Sequence, residues 1–222
     1  MQKNKKCFVS VSTEPLKSLQ DFLNYDKELF QVADFIHCDV MDGKFVNRNL
    51  LEFDLLKEYA KKALLGLDIH LMSEIDEEYV KKFLSLKPKM LTVHFEALEN
   101  KQNLINILKL IRENGAKAGV SLKPQTQAEA LEDVLNYIDL ILIMSVEIGY
   151  GGQVFIESTY EKIEKTKHLI KLYNKKILIS VDGGVNGDNA KKLASHGADI
   201  LVSGSFVFKA KDRKKAVFAL KG

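Results

Sequence analysis

FIHCDVMDG, from Phe35 to Gly43, is a short apolar, β-branched run that ends in a glycine turn and carries His37 and Asp39 inside it. Read as a strand, its side chains alternate, so His37, Asp39 and Met41 share one face. Cys38 and Val40 then point the other way, toward covering helices. Seven more runs of this kind flank it: CFVSVS (7–12), LGLDIHLM (65–72), MLTVHF (90–95), KAGVSLK (117–123), LILIMSV (140–146), KILISVD (176–182) and ADILVSG (198–204). Eight strands separated by longer amphipathic stretches predict a parallel sheet covered by helices, closed into a (β/α)8 TIM barrel, an α/β fold of one domain spanning 1–222. An open doubly wound sheet fits less well, because no G-x-G-x-x-G turn follows the first run.

Three of the intervening stretches show helix punctuation. One begins near Ser158 and continues through IEKTKHLIKLY, with Ile163, Leu169, Ile170 and Leu172 as its apolar positions. QNLINILKLIRENG stops at Gly115, a glycine suited to a helix C-terminus. DNAKKLASHG starts at Asp188, read as the capping residue, and stops at Gly197.

The 222 residues suffice for one large core. Hydrophobic residues make up 46% and charged residues 28%, and three prolines leave no Pro-rich linker. A net charge of +3 is too small to argue for nucleic acid or a membrane surface as partner. The basic clusters Lys3, Lys5, Lys6 and Arg213, Lys214, Lys215 read as solvated charge near the ends. Cys7 and Cys38 match no zinc spacing and make no disulfide scaffold. MQKNKKCFVSVS lacks the apolar run of a signal peptide, and no stretch approaches the roughly 18 apolar residues of a membrane span. A cytoplasmic protein is expected.

In such a barrel, function sits where the strands end. The third run ends Asp68-Ile69-His70-Leu71-Met72, so His70 and Met72 share a face with Asp68 below them. The seventh ends Ser180-Val181-Asp182-Gly183-Gly184, with Ser180 and Asp182 inward. His37, Asp39, His70 and Asp182 therefore converge on one mouth. Two imidazoles and two carboxylates suit one borderline divalent ion: Zn²⁺ first, with Fe²⁺, Mn²⁺ or Co²⁺ as alternatives. Alone, each such residue is an ordinary core histidine or helix cap; the argument lies in four at corresponding strand ends.

Met41, Met72 and Met144 have two open readings, core packing or an apolar lining that keeps water from a reactive intermediate. His94 and Glu96 share a face at the end of the fourth run. They read as rim polar groups in preference to partners of the metal ligands. The late loops carry Gly149-Tyr150-Gly151-Gly152, Gly183-Gly184 and Gly204-Ser205. Glycines there let backbone amides close on an anion, so three in adjacent loops read as a phosphate cradle.

HCDVMDGKFV, LDIHLM, TVHFEA, IMSVEIGYGGQVFI, VDGGVN and VSGS, in that order along nearly the whole chain, resemble the motif series of the ribulose-phosphate 3-epimerase family. The resemblance implies a metal-dependent barrel that interconverts D-ribulose 5-phosphate and D-xylulose 5-phosphate. Carried over, His37, Asp39, His70 and Asp182 are metal ligands, and Asp39 and Asp182 also the acid/base pair. His70 doubles as a substrate contact, as does Ser10, while Gly149 to Gly152, Gly183, Gly184, Gly204 and Ser205 hold the substrate phosphate. A homo-oligomer, dimer or hexamer, is also expected.

Three segments depart from the family pattern. Phe8-Val9-Ser10-Val11-Ser12 stands for A-P-S-I-L-S, Lys44-Phe45-Val46-Asn47-Arg48 for H-F-V-P-N, and Val146-Glu147-Ile148-Gly149-Tyr150-Gly151-Gly152 for V-x-P-G-F-G-G. These face the substrate, which leaves another ketose phosphate, such as allulose 6-phosphate, as the alternative. A barrel decarboxylase or aldol-type synthase would want D-x-K-x-x-D in the third run, where this chain has His70. A sugar-phosphate-binding barrel without activity would be expected to lack a ligand or a carboxylate, and none is lacking.

The chemistry asks for these groups. A C–H beside a ketone is a very weak acid, and a cation on the neighbouring oxygens stabilises the enediolate that deprotonation creates. Inversion then needs a base on one face and an acid on the other, roles assigned to Asp39 and Asp182.

Overall fold

A computed structural model describes residues 6–222, so Lys3 and Lys5 lie outside the described residues. All eight anticipated strands form: β1 (Phe8–Ser12), β2 (Phe35–Asp42), β4 (Gly66–Met72), β5 (Met90–His94), β6 (Lys117–Leu122), β7 (Leu140–Met144), β8 (Leu178–Asp182) and β9 (Ile200–Ser203). A two-residue β3 (Asn49–Leu50), which the sequence pattern does not reveal, pairs antiparallel with the end of β2. The parallel order β1-β9-β8-β7-β6-β5-β4-β2 closes through β1–β2 pairing, so the barrel has no free main edge. Closure suits strands with apolar residues on their outward face, since helices can then cover the whole circumference.

The helices are α1 (Leu19–Leu29), α2 (Phe53–Ala60), α3 (Glu77–Leu84), α4 (Lys101–Glu113), α5 (Thr159–Leu172), α6 (Ala190–His196), α7 (Ser205–Phe208) and α8 (Arg213–Lys221). The crossover between β6 and β7 is a 3-10 segment, Ala128–Tyr137. A reciprocal Ser18–Asp21 capping box starts α1. Asn100 caps α4, and Gly115 follows its end at φ +80°, as its glycine signal indicated. No helix among the described residues is long and apolar enough to cross a membrane.

Two helix readings are corrected. Asp188 does not cap α6: the Asn186 side chain accepts from the backbone N–H of Asp188 and Asn189 instead, and this turn leads into the helix. Leu172 is 68% exposed, because α5 turns its Ile163, Thr166, Leu169 and Ile170 face to the barrel and Leu172 falls outside that arc.

The main apolar core lies between strands and helices. Val9, Val11, Ile36, Cys38, Val40, Ile69, Leu71, Val93 and Ile141 all belong to it. Each fully buried aliphatic chain of this size contributes roughly 1.5–3 kcal/mol. The barrel interior is layered differently. Met90, Leu140 and Ile200 plug its lower end with Phe35 and Leu178. Above them the interior turns polar, with buried Ser10, Asp68, Thr92 and Ser180, and the histidines and Asp39 stand higher still.

Candidate active site

Strand register builds the centre. In the β2–β4 ladder, His37 is paired with Asp68 and Asp39 with His70. Two adjacent inward layers thus each set an imidazole against a carboxylate. From β8, Asp182 comes level with Met144 of β7. One ligand atom from each of His37, Asp39, His70 and Asp182 lies within 4.8 Å of the other three.

The separations suit one ion. His37 Nε2 lies 3.1 Å from Asp39 Oδ1 and 3.6 Å from Asp182 Oδ2. His70 Nδ1 lies 3.2 Å and 4.0 Å from the same two oxygens. Tetrahedral ligands at zinc bond lengths stand roughly 3.3–3.6 Å from one another.

Hydrogen-bond direction tests the fit further. Asp68 Oδ2 accepts from Ser10 Oγ at 2.8 Å and from His37 Nδ1 at 2.8 Å, which turns the Nε2 of His37 to the centre. Burial opposes a charge on His37, but the carboxylates of Asp39 and Asp68 outweigh it and hold its proton affinity well above the ordinary value. Burial likewise pushes the Asp39 carboxyl up, yet His37 and His70 pull it far below the carboxylate range. The two shifts are two sides of one attraction: buried carboxylates draw positive charge to this point, by proton or by metal, and the imidazoles hold the carboxylate ionised. The donor set and its spacing fit a divalent ion.

His94 and Glu96 are not rim groups. His94 is fully buried, with Nε2 2.9 Å from His70 Nε2 and Nδ1 3.2 Å from Glu96 Oε2. Their preference as rim polar groups is therefore overturned, because barrel curvature brings β5 against β4 and stacks the two imidazoles with centroids 4.9 Å apart.

Around the centre runs a cleft lined by Asp39, Asp182 and the three methionines Met41, Met72 and Met144. Met41 and Met72 pack with Val46, and Met144 with Leu142 and Val202, while Ile148 touches both groups. The methionines are at once buried packing and cleft wall, so their two readings coincide. All the late-loop residues singled out in the sequence face the same cleft: Gly149, Tyr150, Gly151, Gly152, Gly183, Gly184, Gly204 and Ser205. Gly149, Gly152, Gly183 and Gly184 have positive φ.

Ser10 is corrected. It is wholly buried one layer down and its hydroxyl is committed to Asp68, so it does not reach the cleft. Two residues on, Ser12 lines the cleft and donates to Asp39 Oδ2 at 3.2 Å. Alternation carried to the last residue of β1 points to Ser12.

Glu14 gave no signal, and Arg48 stood out only within the segment Lys44 to Arg48 that departs from the family pattern, because loop residues carry no periodicity. Arg48 Nη1 donates to Glu14 Oε1 at 2.7 Å and to the Gly149 carbonyl at 3.0 Å, and its guanidinium lies over the Tyr150 ring. One side chain thus ties together the loops after β1, β2 and β7 at the lip of the cleft.

Fold and centre together define an α/β-barrel enzyme with a candidate metal site at the C-terminal mouth of its strands. Barrels of other chemistry share the architecture: the tryptophan synthase α-subunit of Pyrococcus furiosus superposes with a TM-score of 0.67 at 19% identity, covering 99% of each chain. A 3-hexulose-6-phosphate synthase gives 0.70 at 15% identity, covering 97% of this chain and 98% of its own. At such identity the likeness concerns the fold alone. Sequence is decisive where fold is not. The chain belongs to the ribulose-phosphate 3-epimerase family, whose model matches residues 15–208, and it is an epimerase. It is 40% identical to the ribulose-phosphate 3-epimerase of Helicobacter pylori over 202 residues, 90% of this chain and 92% of that one. With the enzyme of the same name from Bacillus subtilis it shares 42% over 192 residues, 86% and 87% of the two chains.

Proposed function

We propose that the chain inverts C3 of D-ribulose 5-phosphate to give D-xylulose 5-phosphate, using Asp39 and Asp182 as the two acid/base groups and a divalent ion held by His37, Asp39, His70 and Asp182. The observation that carries this reading is that two carboxylates, Asp39 buried and Asp182 partly exposed, share one cleft and one imidazole pair while coming from strands separated by β1 and β9. Relatives at 40–42% identity that are named ribulose-phosphate 3-epimerase support this choice of substrate.

The ion would supply Lewis acidity, offsetting the negative charge that develops on the substrate oxygens when C3 loses its proton. Asp39, ionised, takes the proton from one face of C3. Asp182, protonated, delivers its proton to the opposite face, and the pair then exchanges roles for the reverse reaction. No electrons are transferred and no atoms are lost. Ser12 donates to Asp39 Oδ2 and so leaves Oδ1 toward the centre. The methionine wall excludes water that would otherwise quench the carbanion. The amides of the late glycine loops hold the phosphate and so fix C3 between the two carboxylates.

Asp39→Asn and Asp182→Asn, each with metal content verified, test the assignment. Each substitution removes a general acid/base and should lower epimerisation by at least about 10²–10⁴-fold. A metal-loaded variant with one working base can still exchange solvent deuterium into C3 without inverting it. Near-normal epimerisation by either variant would contradict the two-base assignment. Assaying ketopentose and ketohexose phosphates in parallel identifies the sugar: turnover of ribulose 5-phosphate well above allulose 6-phosphate is expected, and the reverse order would reassign the substrate.

A further inference from the structure

We infer that Glu96, acting through His94, dictates which nitrogen of His70 carries its hydrogen and so keeps a lone pair on the Nδ1 that faces the metal centre, and that Lys162 clamps the loop that holds Glu96 in place. The inference rests on the metal-centre reading above.

Glu96 lies just after β5, in the 3-10 turn Phe95–Ala97. Its Oε1 accepts the backbone N–H of Lys123 at 2.9 Å and the Thr126 hydroxyl. A backbone N–H can only donate, so this oxygen is an acceptor and the side chain cannot rotate without losing both bonds. Oε2 is left for His94 Nδ1. Burial pushes the Glu96 carboxyl up, but hydrogen bonds from His94 and Thr126 hold it at about 2, so it is a carboxylate with no hydrogen to give. His70 can offer Nδ1 to an ion only with its hydrogen on Nε2, and His94 Nε2, 2.9 Å away, must then be bare, so the His94 ring is neutral and carries one hydrogen.

The directions along the line are then fixed. His94 places its single hydrogen on Nδ1, against Glu96. Its bare Nε2 accepts from His70 Nε2 at 2.9 Å. His70 spends its hydrogen there and keeps a lone pair at Nδ1, 3.2 Å from Asp39 Oδ1. Two lone pairs facing each other at that distance call for a cation between them.

Lys162 supports the outer end. It projects from α5 and is buried, and its Nζ donates to the Lys123 carbonyl at 2.6 Å. Lys123 is thus held on both sides of its α-carbon, its N–H by Glu96 and its C=O by Lys162. Glu96 and Lys162 touch neither the cleft nor a ligand atom; both are positioning residues.

Glu96→Gln distinguishes direction from shape. With its NH₂ toward His94, the amide forces the ring hydrogens to shift along the line until one occupies His70 Nδ1, the ligand position. With its oxygen toward His94, the NH₂ meets the Lys123 N–H, donor against donor. Either arrangement weakens the centre. Zinc affinity is measured by chelator competition, and the centre is also read by the visible absorption of the Co²⁺-substituted protein. The inference expects zinc bound about 10–100-fold more weakly by Glu96→Gln, with an altered Co²⁺ spectrum. Glu96→Asp, still a carboxylate, should recover part of the affinity, and provides the comparison if the glutamine variant does not fold. Lys162→Met should weaken zinc in the same direction by less.

Wild-type affinity and spectrum in a folded Glu96→Gln protein would overturn the inference while leaving the metal centre standing. So would lowered thermal stability of the metal-free variants with zinc affinity unchanged, the mark of a merely structural role. Failure of the wild-type protein itself to bind zinc or cobalt, with His70→Ala indistinguishable from it, would instead overturn the metal-centre reading.

Discussion

Gly183 follows Asp182 at the end of β8 with φ +115°, and a Cβ there would stand 2.4 Å from Val146 Cγ2. Val146 is itself buried, so it has little room to retreat. A side chain at this position is opposed both by backbone strain and by contact, and the absence of one lets the β8 loop lie flat against the β7 loop at the cleft. Gly183→Ala is expected to lower stability by roughly 1–3 kcal/mol. It should also raise the KM for the phosphorylated substrate and the inhibition constant of inorganic phosphate together. Denaturant unfolding and inhibition kinetics measure these. An alanine variant with wild-type phosphate inhibition would show that the loop amides are not the phosphate cradle. Asp39 and Asp182 differ at this same scale. The first side chain is 8% exposed and bonded by Ser12 and both imidazoles, the second 16% exposed. Their asparagine variants should therefore differ in deuterium exchange even where both lose inversion.

Between elements, Arg112 near the end of α4 makes a two-pronged contact with Asp139, just before β7: Nε to Oδ2 at 2.9 Å and Nη2 to Oδ1 at 2.7 Å. Its remaining nitrogen donates to the Asn136 carbonyl, and Asp139 also accepts the Ala118 N–H of β6. Burial opposes the Asp139 charge, but Arg112 and Ala118 outweigh it and lower the pKa. A folded-state pKa below the unfolded value of about 3.9 means stability that is fully present above that value and lost as pH falls through the folded one. Asp139→Asn should therefore cost about 1 kcal/mol at pH 7, a modest figure because the pair is partly exposed. As pH falls through the lowered folded-state value the gap should close, and well below it the variant and the wild type should converge. Urea unfolding at pH 7 and across the acid range measures the difference, and a gap that stays constant with pH would exclude the ion pair as its source.

Taken whole, the barrel holds several buried anions and imidazoles at one end of a closed sheet, an arrangement a bound cation stabilises. A ligand that binds only the folded chain adds about 2.7 kcal/mol at a hundredfold excess over its Kd. For a chain of this length that is a rise in Tm of roughly 5–10 °C. Zinc, manganese or cobalt should produce such a rise, EDTA should reverse it, and the Asp39→Asn/Asp182→Asn double variant should show little of it. A Tm indifferent to metal and chelator would contradict the four-residue centre.

The barrel and its centre were largely legible in the chain, because strand periodicity is local. An alternation of two fixes which residues of a strand look inward, and eight such runs with helical stretches between them admit one closed parallel sheet. His37, Asp39, His70 and Asp182 could be grouped for that reason alone. What periodicity cannot carry is the height of one strand against the next. Ser10 and Ser12 have the same parity, and only the barrel's register shows that one is buried under the centre while the other reaches the cleft. His94 and Glu96 look like rim groups until curvature sets β5 against β4 and turns them into supports of His70. Arg48 and Glu14 lie in loops with no repeat to read, and their meeting across the mouth depends on where three separate strands end. Local spacing determined the fold and the inward-facing histidines and aspartates; strand stagger and loop placement, which arise only when the sheet closes, decided which polar groups touch.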